Sequence, residues 1–237
     1  NPHEMLLVCD DNLLDGHIKL HPWQDKILRD FAEPSTSDEP YKAVVRAANG
    51  SGKDNFIIAP CAVWLSLRYE NSLTVITSAS GNQLDRQTDK YIKQLTNAQN
   101  KLFGTQIWKQ NYRRYENLVN GSTIEMFVTD EAGRAEGWHP PVPGGQMAIL
   151  VSEAKSIHDD IFTALARCTG FTKRIDVSSP GIPSGHFYNA CVGGRWKQHH
   201  VTAFDCPHLS EDYISDIRNT YGENSALYRS MVLADFG

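Results

Sequence analysis

The run Ala47-Ala48-Asn49-Gly50-Ser51-Gly52-Lys53-Asp54 constrains this chain more than any other. It has the layout GxxxxGK[ST], follows the short apolar segment Ala43-Val44-Val45 and opens a helical pattern that extends from Lys53 to Arg68. Strand, glycine turn and helix in that order make a phosphate-binding loop. Glycines let backbone N–H groups wrap an anion, the helix N-terminus adds partial positive charge, and the lysine reaches the outer phosphates. Asn49, Gly50, Ser51, Gly52, Lys53 and Asp54 are therefore the expected nucleotide-binding residues. The competing reading, a chance Gly-x-Gly-Lys turn at a helix start, is weakened by the flanking strand and helix.

Two positions depart from the layout. Ala47 replaces its first glycine, which requires ordinary backbone angles there. Asp54 stands where a Ser or Thr hydroxyl would bind Mg²⁺. A nucleotide hydrolase also needs an apolar strand ending in Asp-Glu, with Asp in the metal shell and Glu orienting the attacking water. The matching segment is Ala148-Ile149-Leu150-Val151-Ser152-Glu153, with Ser in place of Asp. The two departures read as one exchange. Asp54 ligates Mg²⁺ as a hard oxygen donor, Ser152 hydrogen-bonds to Asp54, and Glu153 is the catalytic base. The alternative is that one of the two is an inactivating change.

Around these residues, strands alternate with helices. Trp23 to Phe31 is amphipathic, and the polar run from Glu33 to Pro40 reads as a loop. Pro60 should kink or split the helix after Lys53. Leu73 to Thr77 reads as a buried strand and Gln83 to Leu102 as an amphipathic helix. Tyr112 to Val119 and Ser122 to Thr129 flank the turn signal Asn120-Gly121, ahead of a Gly- and Pro-rich loop from Glu131 to Gly145. Then come a strand over Gln146 to Val151, a helix over His158 to Cys168 and a strand over Arg174 to Ser178. A strand near Trp196 to Phe204 and helices over Glu211 to Thr220 and Ser225 to Ala234 complete the pattern. This predicts an α/β fold of the P-loop NTPase (ASCE/RecA-like) type, with a mostly parallel central sheet flanked by helices and a small C-terminal lid. The expected division is residues 1–200 as the ATPase core and 201–237 as lid or linker.

Bulk properties restrict the options further. In 237 residues with 41% hydrophobic content, the longest apolar stretch, Phe56 to Leu67, is interrupted by Pro60, so no membrane span is expected. Asn1-Pro2-His3-Glu4 lacks the layout of a signal peptide, and the missing initiator Met suggests that a leading segment was removed. Five cysteines without a CxxC pair argue against a disulfide framework and fit a reducing cytoplasm. The spacing of Cys206 and His208 matches no structural zinc pattern. A net charge of −5 does not advertise nucleic-acid binding, although a motor on sliding DNA needs only local basic patches. Trp108 to Tyr115 holds such residues, with a solvated hairpin face as the simpler reading.

The chain resembles tailed-phage terminase large subunits, the DNA-packaging motors, over nearly its whole length. The most specific block is Ala135-Glu136-Gly137-Trp138-His139-Pro140 together with Ser152-Glu153-Ala154-Lys155-Ser156-Ile157. Leu20-His21-Pro22-Trp23-Gln24 is similar to the family's adenine-recognition segment, which assigns Gln24 to the base. Arg46 matches an arginine used for phosphate or transition-state contact. Ser178-Ser179-Pro180-Gly181 resembles the coupling motif, which assigns Ser178 and Ser179 to sensing the terminal phosphate. Arg134 is an alternative arginine finger. The resemblance implies ATP and Mg²⁺ as cofactors, with double-stranded DNA, a portal protein and a small terminase subunit as partners. It further implies a homo-oligomeric ring, a place in the host cytoplasm at the procapsid portal, and a nuclease domain lying outside this chain. A truncated helicase-like ATPase and a catalytically impaired nucleotide-binding ring component are the alternatives.

Overall fold

A computed structural model of the chain describes residues 1–13, 18–128 and 135–237. The strands are β1 (Tyr41–Ala47), β2 (Leu73–Ser78), β3 (Trp108–Asn111), β4 (Arg114–Asn117), β5 (Thr123–Val128), β6 (Met147–Ser152), β7 (Lys173–Ser178) and β8 (Lys197–Val201). Among the described residues they form one sheet in the order β3-β4-β5-β2-β6-β7-β1-β8. Only β4 runs against the others. Every residue of β2, β6 and β7 is buried, as expected of parallel strands whose two faces are both covered.

One face carries α1 (Pro2–Leu13), α2 (Pro22–Ala32), α3 (Ala59–Arg68), the single turn α4 (Gly81–Gln83) and α5 (Lys90–Phe103). The other carries α6 (Asp159–Ala166) and α7 (Gly185–Val192). Strand alternation divides β1 between them. Ala43, Val45 and Ala47 enter the core with Ile27, Phe31, Ile58 and Leu65, whereas Val44 joins Phe162, Leu165 and Phe187. The last helices, α8 (Glu211–Tyr221) and α9 (Ala226–Tyr228), contribute Ile214, Ile217 and Tyr228 to a third apolar cluster, which closes on Ala48 at the start of the glycine loop.

The α/β fold with a mostly parallel sheet is as the sequence pattern predicts. Pro60 does not break its helix. A π-helical turn over Asp54–Ile58, with Ala59 N–H bonded to Asp54 O, runs directly into α3. The wider turn just before the proline accommodates a residue that lacks an N–H. A second π-helical turn, Leu84–Asp89, joins α4 to α5. The Asn120-Gly121 turn connects β4 to β5 as expected, but β5 also pairs in parallel with β2, so the hairpin is built into the sheet. Elements α1, β3 and α7 were not anticipated. Arg134 and its neighbours from 129 onward lie outside the described residues. No helix among the described residues is long and apolar enough to cross a membrane.

Candidate active site

The C-terminal ends of β1, β6 and β7 open onto one cleft. After Ala47, an ordinary strand residue, Ala48 N–H still bonds Val201 O of β8 at 2.8 Å. The chain then turns through Gly50 at φ 74° and Gly52 at φ 84°. A Cβ on Gly52 would lie 2.8 Å from the Phe56 ring, so both backbone and space require glycine there. Ser51 is fully buried, and its Oγ has no hydrogen-bond partner among the described residues. Lys53 is only 6% exposed and places Nζ 3.8 Å from Glu153 Oε1.

Asp54 begins the π-helical turn with its carboxylate largely buried. Its Oδ1 accepts two hydroxyls, from Ser152 Oγ at the end of β6 and from Thr88 Oγ1 in the second π-helical turn, each at 2.7 Å. The fold thus brings together Asp54 and Ser152, the two positions that depart from the usual pattern. Glu153 follows β6 directly in a left-handed conformation, φ 51°, which is uncommon for a residue with a side chain and recurs at functional sites.

Because β7 lies between β1 and β6, Ser178 and Ser179 emerge between the glycine loop and Glu153. Ser178 Oγ donates to Glu153 Oε2 at 3.4 Å and accepts from the Lys155 N–H at 3.2 Å. Lys155 Nζ donates to Ser179 Oγ at 2.7 Å. Burial lowers the Lys155 pKa; Glu153 opposes this shift and the Lys53 charge adds to it. Asn49, Lys53, Asp54, Glu153, Lys155 and Ser179 are among the residues lining a cleft of about 560 Å³.

Gln24 and Arg46 stand apart from the cleft. Gln24 is fully buried beneath the loop, where its Oε1 accepts the His21 N–H at 2.9 Å and its Nε2 donates to Ser51 O at 3.4 Å. In this arrangement its amide supports the loop rather than facing a base. Arg46 points from β1 toward the opposite sheet face, 3.3 Å from Asp235 Oδ1 and over the Phe236 ring. Sequence reasoning missed Thr88, Lys155 and His208. The last places Nε2 2.8 Å from Gly50 O and Nδ1 3.0 Å from His21 Nε2. Lys155 sits inside the segment that carries Glu153, whereas nothing in the sequence ties Thr88 or His208 to the loop.

A glycine loop at the end of a parallel strand, a lysine opening the next helix and a carboxylate one strand beyond its neighbour define a P-loop NTPase-like fold. The same fold occurs in solved large terminases. The large terminase of a thermophilic bacteriophage, in complex with ADP, matches with a TM-score of 0.70 at 14% identity, covering 92% of this chain and 54% of that one. The large terminase ATPase domain of Thermus phage P74-26 matches with a TM-score of 0.65 at 16% identity, covering 92% and 94%. The HK97 bacteriophage large terminase matches with a TM-score of 0.68 at 13% identity, covering 92% and 51%. At these identities the likeness is one of fold. The chain spans about half the length of the first and third of these proteins. No family model and no curated protein matches it.

Proposed function

We propose that this chain is an ATPase that binds ATP with Mg²⁺ in the cleft and acts as the motor part of a machine that drives double-stranded viral DNA into a procapsid. The observation that carries the proposal is the convergence on one cleft of the Gly50–Gly52 loop, Lys53, Glu153 and the hydrogen-bonded pair Asp54–Ser152. Large terminases of the same fold with ADP and with ATP-γ-S bound support the nucleotide.

In this reading the loop N–H groups and Lys53 hold the phosphates, and Glu153 orients a water molecule. The water oxygen attacks the terminal phosphorus, the bond to the bridging oxygen breaks, and the water's proton passes to Glu153, leaving ADP and phosphate. Asp54 fits a magnesium ligand. With Oδ1 taken by two hydroxyls, its Oδ2 makes no hydrogen bond among the described residues, and a carboxylate oxygen is a hard donor. The ion, when bound, neutralises charge on the phosphate oxygens. Ser152 holds Asp54 in place. Ser178 and Ser179, touching Glu153 and Lys155, are positioned to sense the terminal phosphate. Gln24 and Arg46 would have to leave their present partners to act on base or phosphate. Residues 201–237 serve as a lid over the loop. DNA, a portal protein, a small terminase subunit and a ring of copies in the host cytoplasm complete the motor.

The test is Mg²⁺-dependent phosphate release by the chain beside Glu153→Ala, Asp54→Thr and the double variant Asp54→Thr with Ser152→Asp. Loss of activity in Glu153→Ala and Asp54→Thr, with recovery in the double variant, is expected. Activity that survives Asp54→Thr unchanged removes the exchanged pair. A starting chain as inactive as Glu153→Ala, beside an active double variant, makes it an impaired ring component.

A further inference from the structure

Among the described residues, Lys155 forms no ion pair at contact distance, and the Glu153 carboxylate acts on its charge only from farther away. The residue is exposed overall, but its ammonium lines the cleft and donates to the neutral hydroxyl of the buried Ser179 at 2.7 Å, and no carboxylate among those residues lies within ion-pair distance of it. Three contacts from the end of β7 fix its place. Its backbone N–H is bonded to Ser178 Oγ, its Nζ to Ser179 Oγ, and its aliphatic stem packs on Gly181, where an added Cβ would meet Lys155 Cδ at 3.5 Å. The left-handed turn at Glu153 and the short 3₁₀ turn Ala154–Ser156 carry the side chain back into the cleft, on the same side as Glu153 and Lys53.

An ammonium that rests on a neutral hydroxyl gains from an anion arriving in the cleft, because a charge-assisted contact replaces a charge-to-neutral one. Lys53 and the loop N–H groups approach a nucleotide from the β1 side, while Lys155 approaches from the β6–β7 side, next to the base that would orient water. The anionic group between those two sides is the terminal phosphate. Resting on the ATPase reading above, we propose that Lys155 is a second phosphate ligand, which contacts the terminal phosphate of ATP and thereby distinguishes ATP from ADP. Binding draws Nζ from Ser179 to the phosphate, and loss of the phosphate returns it. The occupancy of the cleft is thus passed directly to the Ser178–Gly181 segment.

The test is calorimetric titration of the chain with Mg²⁺ and either ADP or the non-hydrolysable β,γ-imido analogue of ATP. Lys155→Met keeps the stem on Gly181 and removes the charge. It should weaken the triphosphate analogue about tenfold or more, with ADP held within about twofold, as expected for one lost charge-assisted contact. Lys155→Gln, which still donates to Ser179, should show the same selective loss, and Lys155→Arg should recover most of it. Equal effects on the two nucleotides, or none, overturn the proposal and leave Lys155 as a strut for β7. Lys53→Ala, expected to weaken both nucleotides, is the control. If the unaltered chain binds neither, the nucleotide reading itself falls and this inference falls with it.

Discussion

Asp176 is fully buried on β7, and Arg174, on the same face of the strand, grips it with two hydrogen bonds of 3.0 Å, while His186 Nε2 lies 3.2 Å from its Oδ2. Burial pushes the Asp176 carboxyl up, but the Arg174 charge and the His186 hydrogen bond outweigh it and hold the carboxyl below its usual range. The pair therefore contributes stability above the usual carboxylate pKa that is lost as pH falls through the lowered value. Asp176→Ala strands Arg174, only 4% exposed, without its partner. The expected cost is about 3–5 kcal/mol, seen as a fall in the urea unfolding midpoint. Nothing in the sequence hints at this pair. The Asp54–Ser152 contact is different, because two departures from one motif can be matched by chemistry alone. The orientations of Gln24 and Arg46 were beyond such reasoning, since they depend on Ser51 O and on Asp235, partners that only the folded chain supplies.

At the level of elements, legibility followed the strength of the local pattern. Strands β2, β6 and β7 are buried along their whole length because both sheet faces are covered; the largely apolar runs of β2 and β6 were readable as such, whereas β7 buries Lys173, Arg174 and Asp176 and shows its apolar character only at Ile175 and Val177. β3 was not, because Lys109, Gln110 and Asn111 follow Trp108 and give no apolar alternation. α7 follows the Pro180 and Pro183 turn signals, which mask the helix that starts at Gly185. At the sheet edge, β8 carries a consequence of its own. His199 is buried on it, and burial lowers its pKa to about 4 from the ordinary 6.5. The folded chain then binds this proton less readily than the unfolded one. Stability is complete above the ordinary value and is lost as pH falls from 6.5 toward 4, by roughly 3 kcal/mol at most. His199→Leu should flatten that part of the stability profile in urea titrations at successive pH values. A profile identical to that of the unaltered chain would remove His199 as its cause.

For the whole molecule, the cleft joins parts of the chain that have little else in common: the glycine loop after β1, Thr88 after β2, Glu153 and Lys155 after β6, and Ser178 and Ser179 after β7. A ligand that spans these ends ties the sheet together. At about a hundredfold excess over its dissociation constant, Mg²⁺-ATP should raise the unfolding free energy by about 2.7 kcal/mol. Lys53→Ala should abolish the increment in thermal unfolding measured with and without nucleotide.

The contacts between residues 200–236 and the loop have one more consequence. Asn49 N–H is bonded to Met231 O, Gly50 O lies against His208, and Arg46, just before the loop, is paired with Asp235. Tension applied along this segment reaches the loop directly through these short links on either side of α8. If the loop holds phosphate as proposed, the glycine turn is a mechanical terminus as well as an anion cradle, and load and chemistry meet at the same few backbone atoms.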